Sequence, residues 1–132
     1  MRRSFDQIRA ERAYSVAASC QGAEGFKEAA QSFPAMLQTN GLLASVAFLL
    51  AKKGKLKFDR IADAVVSHLK DPTFGLKVGP GSPPLEVFRY WVGSGASGPN
   101  VTGSELRHLS QEALAFAGWL KRAAEAHGGD QE

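Results

Sequence analysis

The chain has 132 residues, of which 44% are hydrophobic, and a formal net charge of +3 with a pI near 9.2. That length holds one domain around one core, and the charge is far below that of a histone-like tail, so it permits contact with phosphates without requiring it. A single cysteine, Cys20, excludes an intrachain disulfide and any cysteine-rich metal cluster.

The opening MRRSFDQIRAERAY places charges where an export signal needs its apolar core, so a cytoplasmic location is expected. The first helix is predicted from about Ser4 to Gln21. Phe5, Arg9, Arg12 and Val16 fall on one of its faces. Two arginines inside an apolar stripe require a buried ion pair, or snorkelling side chains, or a face kept for a partner. Gly22 and Gly25 break the pattern, and a short helix around Glu24 to Gln31 follows with Phe26, Ala29 and Ala30.

The stretch from Phe33 to Lys53, FPAMLQTNGLLASVAFLLAKK, predicts a central helix that is apolar on every side and closes on two lysines. Ser32 suits its cap and Pro34 its first turn. Phe33, Met36, Leu37, Asn40, Ala44, Ala47, Phe48 and Ala51 share one broad face, and Leu42, Val46 and Leu49 point the other way. Such a helix is surrounded by other helices. Gly41 in its interior costs about 1 kcal/mol against alanine, a cost offset if a neighbour packs closely there, with Asn40 hydrogen-bonded in the core. A membrane span is not expected, because Gln38, Thr39 and Asn40 interrupt the apolar run and Lys52 and Lys53 end it.

Gly54 stops the central helix, and Lys52, Lys53, Lys55, Lys57 and Arg60 form a dense basic run. Arg2, Arg3, Arg9 and Arg12 form a second. From about Asp59 an amphipathic helix turns Ile61, Ala62, Val65, Val66 and Leu69 inward, until Asp71-Pro72 ends it. Thr73 to Pro84 reads as an irregular loop, and LEVFRYWV as a helix with Leu85, Phe88, Trp91 and Val92 in the core. After a second loop, GSGASGPN, the last helix starts on a Thr102-Glu105 capping box and reaches about Ala126, burying Leu106, Leu109, Ala113, Phe116, Leu120 and Ala124. HGGDQE, residues 127–132, reads as a disordered tail. No segment alternates over the length of a strand. The predicted fold is all-α: a single compact domain, 1–132, of five or six helices around the central apolar one.

Catalytic chemistry finds little support in these residues. His127 lies in the tail, His68 falls on the polar side of its helix, and His108 with Glu112 is spaced as a surface pair lacking a second histidine, so neither a catalytic residue nor a metal site is assigned. The glycines of 79–81 and 93–95 lack the setting of a phosphate loop, and Cys20 reads as a small buried residue. No cofactor or small-molecule substrate is expected. Binding remains, since lysines and arginines near helix ends can grip phosphates without reading sequence. At the end of the central helix the macrodipole also favours cations, a structural role that competes with that reading.

The central FPAMLQTNGLLASVAFLLAKK resembles the hallmark of the small helical subunit of the Cmr complex, the type III-B CRISPR effector that targets RNA. That family shows an apolar start, an Asn-Gly-Leu step, an apolar run and a closing lysine. LRHLSQEALAFAGWLKRAAEA, from Leu106 to Ala126, is similar to the family's closing helix, and Glu11-Arg12-Ala13 provides a third match. The two Gly-rich loops carry no family signature.

The resemblance implies a subunit without catalytic activity in antiviral defence. Copies of it would stack along the backbone subunits that hold the guide RNA, contacting them, one another, and the duplex of guide RNA and target RNA, with base pairing supplying sequence choice. The candidate nucleic-acid-binding residues are Lys52, Lys53, Arg12, Lys121 and Arg122, followed by Arg9 and Lys55. Two alternatives stay open: the small subunit of the related type III-A complex, which generally lacks the Asn-Gly-Leu block, and a helical adaptor that binds only proteins.

Overall fold

Ser4 opens the first helix, α1 (Phe5–Ser19), through a reciprocal capping box: the Gln7 N–H donates to Ser4 Oγ at 3.1 Å and the Ser4 N–H to Gln7 Oε1 at 2.7 Å. The computed structural model describes residues 3–52, 54–80, 83–93 and 100–127. After α1 come α2 (Phe26–Ala51), α3 (Leu56–Leu69), a 3₁₀ turn at Pro72–Phe74, α4 (Pro84–Val92) and α5 (Gly103–His127), with no strand among the described residues. The all-α expectation holds. The expected tail falls outside the described residues from 128 onward, and His127 is the last residue of α5.

Small side chains set the closest contacts. Ala13 and Ala17 of α1 and Ala113, Ala117, Ala123 and Ala124 of α5 are buried, which lets the two helices approach closely. They run in the same direction: Asp6 meets Trp119, and the Tyr14 ring meets His127 at 5.9 Å. α5 starts on the expected capping box between Thr102 and Glu105. α4 buries Val87 and Trp91, and the indole donates to the Val78 carbonyl at 3.1 Å. Leu85 and Val92, expected in the core, are instead exposed, because the two buried residues, one turn apart, define a different face.

The largest departure from expectation is in the central helix. No boundary occurs at Ser32, whose hydroxyl donates to the Ala29 carbonyl; the helix begins at Phe26 and carries Pro34 in its interior. The break comes at Gly41, with φ 83° and ψ 173°. A Cβ there would meet nothing within 4 Å, so close packing is not what requires glycine. Backbone geometry is: only glycine adopts that conformation without strain.

The bend folds the second arm of α2 back along the first. Phe33 and Met36 of the first arm line one cavity with Phe48 and Leu49 of the second and Phe58 and Ile61 of α3. In a straight helix Phe33 and Leu49 would lie about 24 Å apart. The turn also rotates the second arm, so Leu42, Val46 and Leu49 are buried while Asn40, Ala44, Ala47, Phe48 and Ala51 are exposed. Asn40 is therefore not a core hydrogen-bonding group. By length and composition α2 could cross a membrane, yet its buried side chains pack on α5, α3 and α4.

Gly41→Ala should lower stability by about 1–3 kcal/mol by forcing a side chain into that conformation. The readout is a lower urea midpoint at unchanged slope; an unchanged midpoint would show that glycine does not hold the reversal.

Candidate nucleic-acid interface

Two sets of basic side chains part company here, one turned inward and one outward. Arg9 grips Glu112 of α5 with both arms of its guanidinium, Nε to Oε2 at 2.7 Å and Nη2 to Oε1 at 2.6 Å, while Nη1 reaches Asp6 at 2.9 Å. Parallel bonds of this kind are the strongest ion pairs a protein makes. Glu112 has an 8% exposed side chain, and its Oε2 also meets Nε2 of the fully buried His68 of α3 at 2.8 Å.

The other nitrogen of His68 fixes its tautomer. Nδ1 lies 3.1 Å from Arg12 Nη1, and a guanidinium offers only donors, so Nδ1 accepts. The proton therefore sits on Nε2 and is donated to Glu112. Arg12 completes the network through Nη2, 2.9 Å from Asp71, the residue that caps the 3₁₀ turn by accepting from the Thr73 N–H. The imidazole stacks on Phe116 at 4.2 Å and meets Phe74 at 4.9 Å.

Electrostatics follow the geometry. Burial pushes the Glu112 carboxyl up, but hydrogen bonds from Arg9 and His68 outweigh it and hold the group below its ordinary range. Asp71 is drawn down to about 2, mostly by the backbone and side chain of Thr73, with Arg12 adding to it. Arg9 is held more firmly protonated, chiefly by Glu112.

Sequence reasoning placed His68 on a polar face and Glu112 on an exposed one beside His108; both are buried, bonded to each other, and only His108 is exposed. The signal was present. Two arginines in the stripe of α1 call for a carboxylate, and Glu112 stands in step with Leu109, Ala113 and Phe116 on the buried face of α5. Of the three readings of Arg9 and Arg12, the structure contains the intramolecular ion pair.

The outward set lies on other elements. Lys52 caps the end of α2, with its ammonium 5.5 Å from the centre of the Phe48 ring, and Lys55 precedes α3. Lys121 and Arg122 are exposed on α5, Arg122 lying over Trp119 at 5.2 Å. None of these four forms an ion pair with a carboxylate among the described residues. The remaining candidate, Lys53, lies outside the described residues.

The reversal at Gly41 brings the two groups into the same half of the bundle. The end of α5 meets the start of α2, where Gln31 donates to Glu125 at 3.1 Å. The start of α3 reaches the same place, with the Lys57 side chain passing over Gly25. Among the described residues no cluster of three or more His, Cys, Asp or Glu could hold a metal. Cys20 is buried and accepts a long contact from Arg60 at 3.5 Å.

A protein-family model described as CRISPR-associated protein (Cas_Cmr5) matches residues 5–76, more than half of the chain. The matched span includes α1, the Gly41 reversal, α3 and the basic run between α2 and α3. No curated protein matches the chain.

Glu112→Gln leaves Arg9 with only the exposed Asp6 as its charge partner, and a loss of up to about 3–5 kcal/mol in chemical denaturation is expected. Acid should act on the same network. Both carboxyls titrate lower in the folded chain than in the unfolded one, so their stabilisation is complete above the unfolded values and is lost as pH falls, for Asp71 between 3.8 and about 2. Asp71→Asn should flatten that acid limb in thermal melts recorded against pH; an unaltered limb would remove Asp71 from the account.

Proposed function

The chain belongs to the Cas_Cmr5 family of CRISPR-associated proteins, and from that membership we propose that it is the non-catalytic small subunit of a type III-B effector working in the cytoplasm. It stacks along the backbone subunits, beside further copies of itself, and contacts the guide RNA and target RNA duplex. The family match over α1 to α3 is the observation that carries this reading.

Lys52, Lys55, Lys121 and Arg122 supply the phosphate contacts, joined by Lys53 from the same basic run. Among the described residues Lys52, Lys55, Lys121 and Arg122 form no ion pair with a carboxylate, although Arg122 is near enough to Asp6 to help draw it down; Lys52 and Lys55 flank the connection of α2 to α3, and Lys121 and Arg122 lie in the last turns of α5. Such contacts gain from counterion release and carry no sequence information, which is delegated to base pairing. Arg9 and Arg12 belong to the frame: an RNA phosphate would have to displace Glu112 or Asp71 to recruit them. One copy offers few phosphate contacts, so the isolated chain binds RNA weakly, and assembly raises the affinity by adding copies.

The tagged chain, recovered from its native cells, should retain other Cmr subunits together with guide RNA. Lys52→Glu with Lys55→Glu should cut the retained RNA several-fold and make its loss with salt shallower, while leaving thermal stability unchanged. Recovery of unrelated proteins with no RNA would favour the adaptor reading instead.

A further inference from the structure

Phe5 is the residue that neither the core nor the charge pattern explains. It is 50% exposed, yet its ring is held in place, packed at 4.9 Å against Phe74 with the Arg9 guanidinium lying 5.6 Å from its centre. Behind it the stack continues inward through Phe74 and His68 to Phe116. An aromatic ring supported from behind loses little freedom when a second flat group covers its open face.

That ring forms one wall of an open recess of about 340 Å³ whose other walls include Leu76, His108 and Gln111. The Gln111 side chain is exposed and makes no hydrogen bond among the described residues, leaving an amide donor and acceptor at the rim. His108 adds an imidazole edge. Arg9 also lines the recess, but its charge is neutralised by Glu112 and Asp6, so the cavity is not built for a phosphate. A flat apolar wall beside a neutral donor-acceptor rim matches a nucleobase, recognised by stacking and by its hydrogen-bonding edge.

We propose that the Phe5 recess binds an unpaired nucleobase of RNA, stacked on Phe5 and contacted at its edge by Gln111 and His108. The inference rests on the reading of this chain as an RNA-contacting subunit, and adds to it a contact with a base. Position supports the pairing of the two. Trp119, which carries Arg122 on its face, donates to Asp6, the neighbour of Phe5, so a phosphate-binding cation and the recess share the flank formed by α1 and α5.

The test compares two fluorescently labelled strands at low salt, an oligoadenylate and an abasic ribose-phosphate strand of the same length, binding to the full chain. The wild-type chain should prefer oligoadenylate. Phe5→Ala should weaken that binding roughly tenfold, the scale of one lost stacking contact, and leave the abasic strand unaffected. Phe5→Tyr should keep wild-type affinity, and Gln111→Ala should lose part of the preference without changing the melting temperature. Equal affinity of the wild-type chain for both strands, or equal weakening of both by Phe5→Ala, would overturn the base site while leaving phosphate contact standing. An affinity for both strands that survives charge reversal at Lys52, Lys55, Lys121 and Arg122 would instead overturn the phosphate reading on which it rests.

Discussion

The carboxylate of Glu112 is the point at which three helices are tied together. Its two oxygens meet Arg9 from α1 and His68 from α3, and it stands on α5 itself. Taking a carboxylate out of water costs several kcal/mol, recovered only where both oxygens find well-placed donors. Here the guanidinium fork and one imidazole N–H meet that demand. The neighbouring helix faces are rich in alanine, and such smooth faces slide past one another at little cost; a bidentate pair does not slide.

The chain uses its two kinds of cation differently. Arginine, planar and with donors in fixed directions, is turned inward at positions 9 and 12, where geometry is demanding. Lysine, a mobile point charge on a flexible stem, crowds the connection between α2 and α3. A basic residue in the sequence is thus ambiguous until its carboxylate is found. The division separates the charges that hold the fold from those left without an internal ion pair among the described residues.

Much of the architecture was legible from the residues. The start of α1 near Ser4, the capping box at Thr102, the breaks at Gly54 and Asp71-Pro72, and the inward stripes of α3 and α5 all follow local rules of hydrogen bonding and periodicity, which the chain obeys. The central helix misled because Pro34 and Gly41 each admit two readings. Proline fits a first turn better than an interior, but surrounding packing overrode that preference. Glycine was assigned to close contact when it served a backbone reversal, and periodicity taken across that reversal put Ala44, Ala47 and Phe48 on the wrong side. The inward pairing of Arg9 and Arg12 was among the options, but choosing it needed partners distant in sequence. Of the outward set, Lys52 and Lys55 stood out in a basic run and Lys121 and Arg122 were implied by the family resemblance, whereas the Phe5 recess depends on Phe74 and Gln111 arriving from elsewhere.

The bond between Arg9 and Glu112 spans 103 positions of the chain. During synthesis, α1 leaves the ribosome with the Arg9 guanidinium and its alanine face ready, while α5, which completes both, is made long after. The bend at Gly41 lets the arms of α2 pair through local contacts, whereas α1 reaches α3 through Arg12, His68 and Asp71 and gains its Glu112 anchor only with α5. Of the described helices, α1 is made before the others yet is anchored by the one made after them.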